Sequence, residues 1–357
     1  MKLMHYFLLF CLPFLVSLIT VRITITVSNK MKLFDFVDAR KLHVGNISRL
    51  GGIGIFLGFF SQIFLVITLL TESIETDLVL LAISGISIFA MGLIDDIWQL
   101  YARLKFFVQL IASLLVVYAG FSFSFFSFKP LSFYLQFGIF SIPLTVIWII
   151  GIINAINLID GLDGQAGIIS FLILIAYAFI LFHQKNSIGS VFCIGLALSI
   201  LGFLFYNAPF PKAKIFMGDS GSQFLGFMIA VLPLIREKET HESIGLAYSF
   251  VLLIIPIMDV IAAVWRRLRD KTGVATPDKF HIHHKLRMLG FSDRSVFLIM
   301  ASLQIIIALL VIISFFIEPI AAVILLLTDI LIVILFFAIV HYAKEHVMAK
   351  ENKNADE

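Results

Sequence analysis

Apolar stretches of about 20 residues recur along the whole chain, and this pattern limits its fold more than any other feature. Hydrophobic residues make up 61% of the 357 positions and charged residues only 14%, whereas soluble domains carry about 25% charged residues. So few charges cannot cover a surface in water, which excludes an ordinary soluble enzyme and a nucleic-acid-binding protein with a basic face. Because the stretches are continuous rather than alternating, we expect an all-α integral membrane protein.

We expect about eleven transmembrane helices in a single membrane domain, residues 1–349, followed by a polar cytoplasmic tail, residues 350–357. The first apolar run resembles a signal peptide, but no small-residue cleavage site follows it, so we expect a retained anchor. The aromatic segment 121–130 is expected to lie at the outer membrane interface. The predicted spans are residues 4–27, 51–70, 78–94, 106–120, 138–157, 166–183, 188–206, 215–235, 245–264, 295–317 and 320–341.

The distribution of lysine and arginine predicts the orientation of these helices. An odd number of spans places the two termini on opposite sides of the membrane. The segments on the side of the C-terminus carry 20 Lys and Arg residues, and the segments on the opposite side carry 5. Since positive charge is retained in the cytoplasm, we expect the N-terminus outside and the C-terminus in the cytoplasm.

The unusual acidic residues cluster on the predicted cytoplasmic side. A single acid at the end of a span is satisfied by water, but five acids in three Gly-containing segments on one face favour a polar cavity that opens to the cytoplasm. Two adjacent carboxylates repel each other unless Mg²⁺, a lysine or a shared proton offsets their charge, and Lys105 begins the next span. The five acids are Asp95, Asp96, Asp160, Asp163 and Asp219.

The segment NAINLIDGLDGQAG, residues 154–167, joins two spans through two Asp-Gly pairs. Asn154 and Asn157 lie on the last turn of the first span, and Asp160 and Asp163 are close enough to converge on one metal ion or ligand. The glycines allow close backbone approach. The fuller ligand set of an EF-hand is missing from this loop. A plain turn would need glycine but not four polar side chains, so the segment predicts a ligand site.

The segment KAKIFMGDSGSQFLG, residues 212–226, places Asp219 at the start of a predicted helix. Backbone N–H groups at a helix N-terminus bind phosphate, and the carboxylate can bind Mg²⁺. The spacing differs from that of a Walker loop, which excludes a P-loop NTPase. A simple capping role for Asp219 is compatible with both functions.

The inner loop 265–294 carries eight of the 20 inner cations, together with His281, His283 and His284. Positive-inside signalling and binding of anionic lipid account for part of this charge. A zinc site is the weaker explanation of the histidines, because neither cysteine nor an HExxH pattern accompanies them. Phosphate recognition by histidine and arginine is favoured, since the other motifs also favour phosphate.

Taken in order, these motifs resemble those of the polyprenyl-phosphate N-acetylhexosamine-1-phosphate transferases, of the glycosyltransferase 4 type. The HIHH form is similar to the branch that uses UDP-GlcNAc to start O-antigen, common-antigen or teichoic-acid linkage synthesis. The branch that takes UDP-MurNAc-pentapeptide has three consecutive histidines there. The segments that carry the resemblance are RKLHVGNISRLGG (40–52), GLIDDIWQLYARLKFFVQ (92–109), NAINLIDGLDG (154–164), IFMGDSGS (215–222) and PDKFHIHHKL (277–286).

This resemblance implies transfer of N-acetylhexosamine 1-phosphate, most simply GlcNAc 1-phosphate, from a UDP-sugar to undecaprenyl phosphate, with release of UMP. It implies Mg²⁺ as the cofactor, with Mn²⁺ as a substitute, and an active site on the cytoplasmic face of the bacterial inner membrane. The expected partners are the polyprenyl phosphate lipid, the UDP-sugar and the bilayer, without nucleic acid, and the resemblance leaves room for a homodimer. UDP-MurNAc-pentapeptide or another UDP-sugar remains an alternative donor.

The resemblance also suggests roles for the acids. Two unit charges about 4 Å apart repel by about 4 kcal/mol at an effective dielectric of 20, so the attack of one phosphate on another needs cations. We assign Asp219 and Asp160 as Mg²⁺ ligands, with Asp160 also counted among the catalytic residues. Asp95 and Asp96 would act on the polyprenyl phosphate, one of them as base or orienting group. A covalent aspartyl intermediate stays open as an alternative.

The remaining polar residues are assigned to substrate binding on the same basis. Lys105 and the three histidines would neutralise phosphate charge. Asn157 and Asp163, with Asn154 nearby, would shape the nucleotide pocket. The chain departs from the family pattern at residues 46–48 and in the stretch 207–214, which affects the expected loop geometry.

Two other classes compete with an enzyme. A secondary transporter would place acids near the membrane midplane on broken helices and would show inverted repeats, whereas here the acids gather at one face and no repeat is visible. Asp259 and Asp329 are exceptions inside apolar spans, and we expect Asp259 to line the floor of the cavity. A structural membrane protein would not need the Asp-Gly loops.

Overall fold

The computed structural model describes residues 2–32, 47–70, 76–128, 133–236, 244–271 and 280–356, so motif residues 40–46 and 277–279 lie outside it. Most of the described chain is helical, with short 3₁₀ turns at Gly138–Phe140 and Leu232–Leu234. In chain order the helices are α1 (Lys2–Met31), α2 (Gly52–Leu70), α3 (Thr76–Trp98), α4 (Ala102–Tyr118), α5 (Ser141–Ile159), α6 (Gln165–His183), α7 (Ser187–Asn207), α8 (Gly218–Val231), α9 (Leu246–Leu252), α10 (Ile254–Arg269), α11 (Ile282–Met288), α12 (Asp293–Ser314) and α13 (Pro319–Asp356).

Seven of the described helices are long and apolar enough to cross a membrane, and α9 with α10 makes an eighth if this bent pair is one span. The protein is therefore mostly helical and membrane-spanning, as predicted. Each of the eleven predicted spans overlaps a helix or, at 245–264, the bent pair. The number eleven stays a prediction, because α2, α4 and α8 are not among the helices long enough to cross a membrane. The orientation of the helices also stays a prediction.

One short β-hairpin accompanies the helices. β1 (Phe125–Phe128), in the aromatic segment assigned to the membrane interface, pairs antiparallel with β2 (Phe133–Gln136), which follows that segment. Phenylalanine and serine alternate at residues 121–125, and a period of two favours a strand. Arg236 holds the start of the hairpin, because its Nη2 donates at 2.7 Å to the carbonyl of Ser122 and at 2.7 Å to the hydroxyl of Ser124.

α8 is the central helix of the fold. All of its residues from Ser220 to Val231 are buried, which is typical of a helix surrounded by other helices. α3 and α5 pack closely against it, since a Cβ added to Gly226 would lie 2.7 Å from the Cα of Ile153. This packing fixes the position of the polar residues at the start of α8.

The predicted span 245–264 is a broken helix. α9 and α10 meet at an angle of 76° because Pro256 lacks the N–H group that would bind the carbonyl of Leu252. Gln304 of α12 supplies the missing donor at 3.0 Å. At the end of the chain α13 continues to Asp356, so the predicted tail extends this helix, and a domain boundary at residue 349 stays a prediction.

Candidate active site

Backbone pairing holds the chain that enters α8. The amides of Gly51 and Gly52 donate to the carbonyls of Phe216 and Met217, each at 2.9 Å. Gly218 then adopts a φ of +73°, in the left-handed region that favours glycine. These hydrogen bonds hold the segment that contains RLGG against the segment that contains FMGDSG. They therefore fix the direction in which the carboxylate of Asp219 points.

Asp96 binds the N-terminus of α8. Its Oδ1 accepts from the amide of Asp219 at 2.8 Å and its Oδ2 from the amide of Ser220 at 3.0 Å. These amides have no partner within the helix, and a carboxylate also complements the positive end of the helix dipole. α3 comes this close because Gly92 lacks a side chain, and a Cβ there would lie 2.6 Å from the carbonyl oxygen of Asp219.

Asp95 and Asp219 share the ammonium group of Lys105. Its Nζ lies 2.6 Å from Oδ2 of Asp95 and 3.0 Å from Oδ2 of Asp219, and the amide of Leu100 donates to the other oxygen of Asp95 at 2.6 Å. Neighbouring residues on a helix point about 100° apart, so the side chains of Asp95 and Asp96 contact different partners. Asp96 faces the helix N-terminus, and Asp95 faces the cation.

Asp219 is held by donors from three helices. Asn157 of α5 donates to its Oδ1 at 3.3 Å and to the hydroxyl of Ser222 at 2.8 Å. Gln223, one turn along α8, donates to its Oδ2 at 2.9 Å, and Lys105 comes from α4. Because all three are donors, the arrangement holds Asp219 as an ionised acceptor.

The loop between α5 and α6 is shaped by Asn207. Gly164 has a φ of +75°, and its amide donates to Oδ1 of Asn207 at 2.9 Å. Oδ2 of Asp163 accepts from the amide of Ala213 at 3.3 Å. Asp163 therefore joins this loop to the stretch 207–214, where the sequence departs from the family pattern.

Asp160 lies beside the carboxylates of the cluster. Burial and the negative charge of Asp219 raise the pKa of Asp160 to about 8, and the positive charge of Arg49 offsets only part of this. The charge of Asp96 adds to the effect. Without a bound cation, the neutral form of Asp160 is therefore favoured up to about pH 8.

Asp259 binds the N-terminus of α11, the helix that contains His283 and His284. Its Oδ1 accepts from the amide of Ile282 at 3.0 Å, and its Oδ2 lies 3.0 Å from Nδ1 of His281. Asp259 is 1% exposed and caps this helix, a more specific position than the cavity floor expected from the sequence. The contact occupies one ring nitrogen of His281.

His283 is a buried, neutral side chain. Its ring lies against Gly161, where any side chain would clash with it, and its centroid is 4.3 Å from that of His284. Burial, then the neighbouring His284 and His281, lowers the pKa of His283 well below its usual value. Within the described part of the chain neither ring nitrogen has a hydrogen-bond partner. His283 thus supplies no positive charge in this structure and instead packs α11 onto the Asp-Gly loop.

Comparison with known proteins identifies the family. The model of glycosyl transferase family 4 matches residues 78–236, which contain nearly all of α3, the helices from α4 to α8 and the whole carboxylate cluster. A probable undecaprenyl-phosphate N-acetylglucosaminyl 1-phosphate transferase of Bacillus subtilis is 36% identical over 297 residues, which cover 80% of each chain. The protein belongs to glycosyl transferase family 4.

Other relatives of this glycosyl transferase agree in name. A decaprenyl-phosphate N-acetylglucosaminephosphotransferase of Mycobacterium leprae is 30% identical and covers 76% of this chain and 74% of its own. An undecaprenyl-phosphate alpha-N-acetylglucosaminyl 1-phosphate transferase of Salmonella typhi is 28% identical and covers 83% and 80%. The family resemblance read from the ordered motifs is confirmed.

The carboxylate cluster of this family 4 protein suits Mg²⁺, which prefers oxygen ligands. A cation bound beside Asp160 would favour its ionised form, which burial and the neighbouring carboxylates of Asp219 and Asp96 oppose. No three His, Cys, Asp or Glu side chains of the described residues stand ready as a metal site, and Lys105 bridges two of the carboxylates. The ammonium of Lys105 thus occupies one carboxylate oxygen of Asp219, and Asn157 donates to the other.

The sequence reasoning missed three residues of the site. Gln223 donates to Asp219, Gln109 donates to Gln223, and Asn207 holds the Asp-Gly loop. A signal for the two glutamines was present, because Gln109 follows Lys105 by four residues and Gln223 follows Asp219 by four. Residues four apart lie on one face of a helix, so a polar side chain there points toward the same site.

Proposed function

We propose that this protein transfers GlcNAc 1-phosphate from UDP-GlcNAc to undecaprenyl phosphate, with release of UMP. The observation that carries the proposal is the cluster of Asp95, Lys105 and Asp219 at the N-terminus of α8. The names of the curated relatives give an N-acetylglucosamine phosphate as the transferred group and a polyprenyl phosphate as the acceptor, which supports these two parts of the proposal. The product would be a lipid pyrophosphate that carries GlcNAc and starts a cell-envelope polysaccharide.

The site supplies what the reaction of two anions requires. The ammonium of Lys105 stands among the carboxylates and can turn toward a phosphate, and the amides at the start of α8 add positive potential. Their attraction offsets the repulsion between the lipid phosphate and the nucleotide diphosphate. Residues from α3, α4, α5 and α8 hold the carboxylates and the helix amides in place before substrates bind, so that only the side chain of Lys105 has to reorient.

Asp219 and Asp160 would hold Mg²⁺ on the diphosphate of the donor. When bound, this ion would neutralise phosphate charge and polarise the bond to the UMP leaving group. Asn157 supports the role of Asp219, because its amide fixes one carboxylate oxygen.

Asp95 is the acid that we assign to the lipid phosphate. Both oxygens of Asp96 accept from backbone amides of α8, so Asp96 positions that helix. Asp95 instead is 10% exposed and shares the ammonium group of Lys105 with Asp219. Asp95 can therefore accept a proton from the lipid phosphate or orient it for in-line attack.

The membrane context is part of the proposal. The excess of Lys and Arg on the side of the cluster supports a cytoplasmic site, where a soluble UDP-sugar is available, and the bacterial relatives support the inner membrane. O-antigen, common-antigen and teichoic-acid linkage synthesis are the pathways that such a product would start.

The test uses purified full-length protein with Mg²⁺, undecaprenyl phosphate and UDP-GlcNAc, and it identifies the nucleotide that is released. We expect UMP only when both substrates are present. Asp219→Asn should abolish this release without unfolding the protein, whereas Asp77→Asn, at the exposed first turn of α3, should not. Release of UDP would overturn the reaction, and turnover by Asp219→Asn would overturn the role of that residue.

A further inference from the structure

Two polar contacts, one helical turn apart, join α4 to α8 beside the carboxylate cluster. In the first, Lys105 binds Asp219 at 3.0 Å. In the second, Nε2 of Gln109 donates to Oε1 of Gln223 at 3.0 Å, and Nε2 of Gln223 donates on to Oδ2 of Asp219 at 2.9 Å. Both glutamines are almost fully buried, at 3% and 2% exposure, so water has little access to these bonds.

A third amide extends this chain to α5. Nδ2 of Asn154 donates to Oε1 of Gln109 at 3.0 Å and to the carbonyl of Ile150 at 2.8 Å. The hydrogen bonds thus run in one direction, from Asn154 through Gln109 and Gln223 to the carboxylate of Asp219. We call the three amide side chains, Asn154, Gln109 and Gln223, the amide relay.

The direction of the relay is forced at both ends. An ionised carboxylate only accepts, so the NH₂ group of Gln223 must face Asp219 and its oxygen must face Gln109. The NH₂ group of Gln109 must then face Gln223. At the other end the carbonyl of Ile150 also only accepts, which turns the NH₂ group of Asn154 the same way. The acceptors at the two ends of the relay, the carbonyl of Ile150 and the carboxylate of Asp219, therefore require the same direction of donation.

We propose that Gln109 and Gln223 are positioning residues that orient Asp219 for the transfer reaction. Lys105 cancels charge on Asp219 when it binds, whereas an amide fixes the carboxylate and leaves its charge intact. The relay therefore keeps Asp219 in place when Lys105 turns to a phosphate. This inference rests on the proposed function, because it concerns how that site handles its substrates.

Reversal of the polarity of the relay gives a specific test. Gln109→Glu keeps the size of the side chain, but an ionised carboxyl accepts hydrogen bonds and would make Gln223 turn its oxygen toward Asp219. A protonated carboxyl donates its O–H to Gln223 and restores the native direction. Through Gln223 the relay reaches the charged groups Asp219 on α8, Lys105 on α4 and Asp95 on α3.

The expected readout is the turnover number of Gln109→Glu divided by that of the wild type. This ratio should fall about 10- to 100-fold as the pH rises from about 6 to about 9, the range in which buried carboxyls titrate. The KM for the lipid should stay unchanged. Gln109→Met should lose activity to the same extent at every pH, because it breaks the relay without a titrating group.

A matched control is available on α2. Gln62 is fully buried and donates to the carbonyl of Val191 at 2.9 Å, without contact to the cluster. Gln62→Glu makes the same chemical change. Its turnover number, divided by that of the wild type, should stay constant with pH. A constant ratio for Gln109→Glu as well, or an equal fall for both variants, would overturn the relay.

A second measurement avoids turnover. The rise in melting temperature that Mg²⁺ produces in the substrate-free protein should be smaller in Gln223→Met and Gln109→Met than in the wild type, and unchanged in Gln62→Met. An equal rise in all four proteins, or no rise in the wild type, contradicts the role in orienting Asp219. If the wild type released no UMP from UDP-GlcNAc, the proposed function would fail, and this melting experiment would still decide the relay.

Discussion

Exchange of Asp95 and Asp96 for asparagine, one at a time, should separate two roles that the sequence leaves indistinguishable. Asp96 accepts from two amides at the N-terminus of α8, at 2.8 and 3.0 Å. Asp95 pairs with Lys105 and accepts one amide hydrogen bond. We expect both variants to lose activity but only Asp96→Asn to lose stability.

The magnitudes follow from these contacts. Asparagine has one acceptor oxygen, so Asp96→Asn leaves one buried amide of α8 without a partner and removes a charge from the helix N-terminus. Together these losses cost about 2–4 kcal/mol. Asp95→Asn removes an ion pair whose side chains are 26% and 10% exposed, and its remaining oxygen still accepts from the amide of Leu100. Lys105 keeps Asp219 as its partner, and the repulsion between Asp95 and Asp219 disappears, so the net loss is about 0–1 kcal/mol.

The assay is thermal unfolding of the purified variants in one detergent at one scan rate, with loss of activity measured in parallel. A common scan rate is needed because membrane proteins often unfold irreversibly. Equal melting temperatures for Asp96→Asn and the wild type, or a larger decrease for Asp95→Asn, would refute the division of roles.

Three further variants test other parts of the site. Gly92→Ala should cost about 1–3 kcal/mol because the added methyl group would overlap α8, whereas Gly151→Ala, with open space around it, should gain up to about 1 kcal/mol; equal melting temperatures would contradict this packing. Asp160→Asn should abolish turnover yet raise the melting temperature of the protein in EDTA. This gain should grow as the pH rises toward 8, because the pKa of the carboxyl is raised in the folded protein and its ionisation opposes folding. A gain in melting temperature that shrinks with rising pH would refute this. Gly161→Ala should lower the melting temperature and the turnover number together because it displaces His283, and a wild-type melting curve would argue against that contact.

The sequence predicted the helical membrane fold and which acids meet, for reasons that lie in local pattern. Apolar runs define spans, and the polar segments that contain Asp95, Asp160 and Asp219 interrupt them at one end. The break between α9 and α10 was also readable in principle, because Pro256 cannot donate to Leu252. The hairpin had a signal as well, the alternation of phenylalanine and serine.

The different roles of the residues in the site depend on tertiary contacts, which no local sequence pattern encodes. Asp95 and Asp96 have the same chemistry, and only the approach of α8 past Gly92 makes one of them a cap. His283 looks like a phosphate ligand in the sequence, yet its packing against Gly161 leaves it buried and neutral. Such roles follow from the depth and rotation of packed helices.

The most direct test of the account follows the β-phosphate of the donor. UDP-GlcNAc labelled with ³²P at the β-phosphate is incubated with the wild-type protein, Mg²⁺ and undecaprenyl phosphate, and the lipid is extracted. Transfer of GlcNAc 1-phosphate predicts that the label moves into the lipid while unlabelled UMP is released. Label that stays in the nucleotide as UDP, with GlcNAc on the lipid, would contradict the central claim.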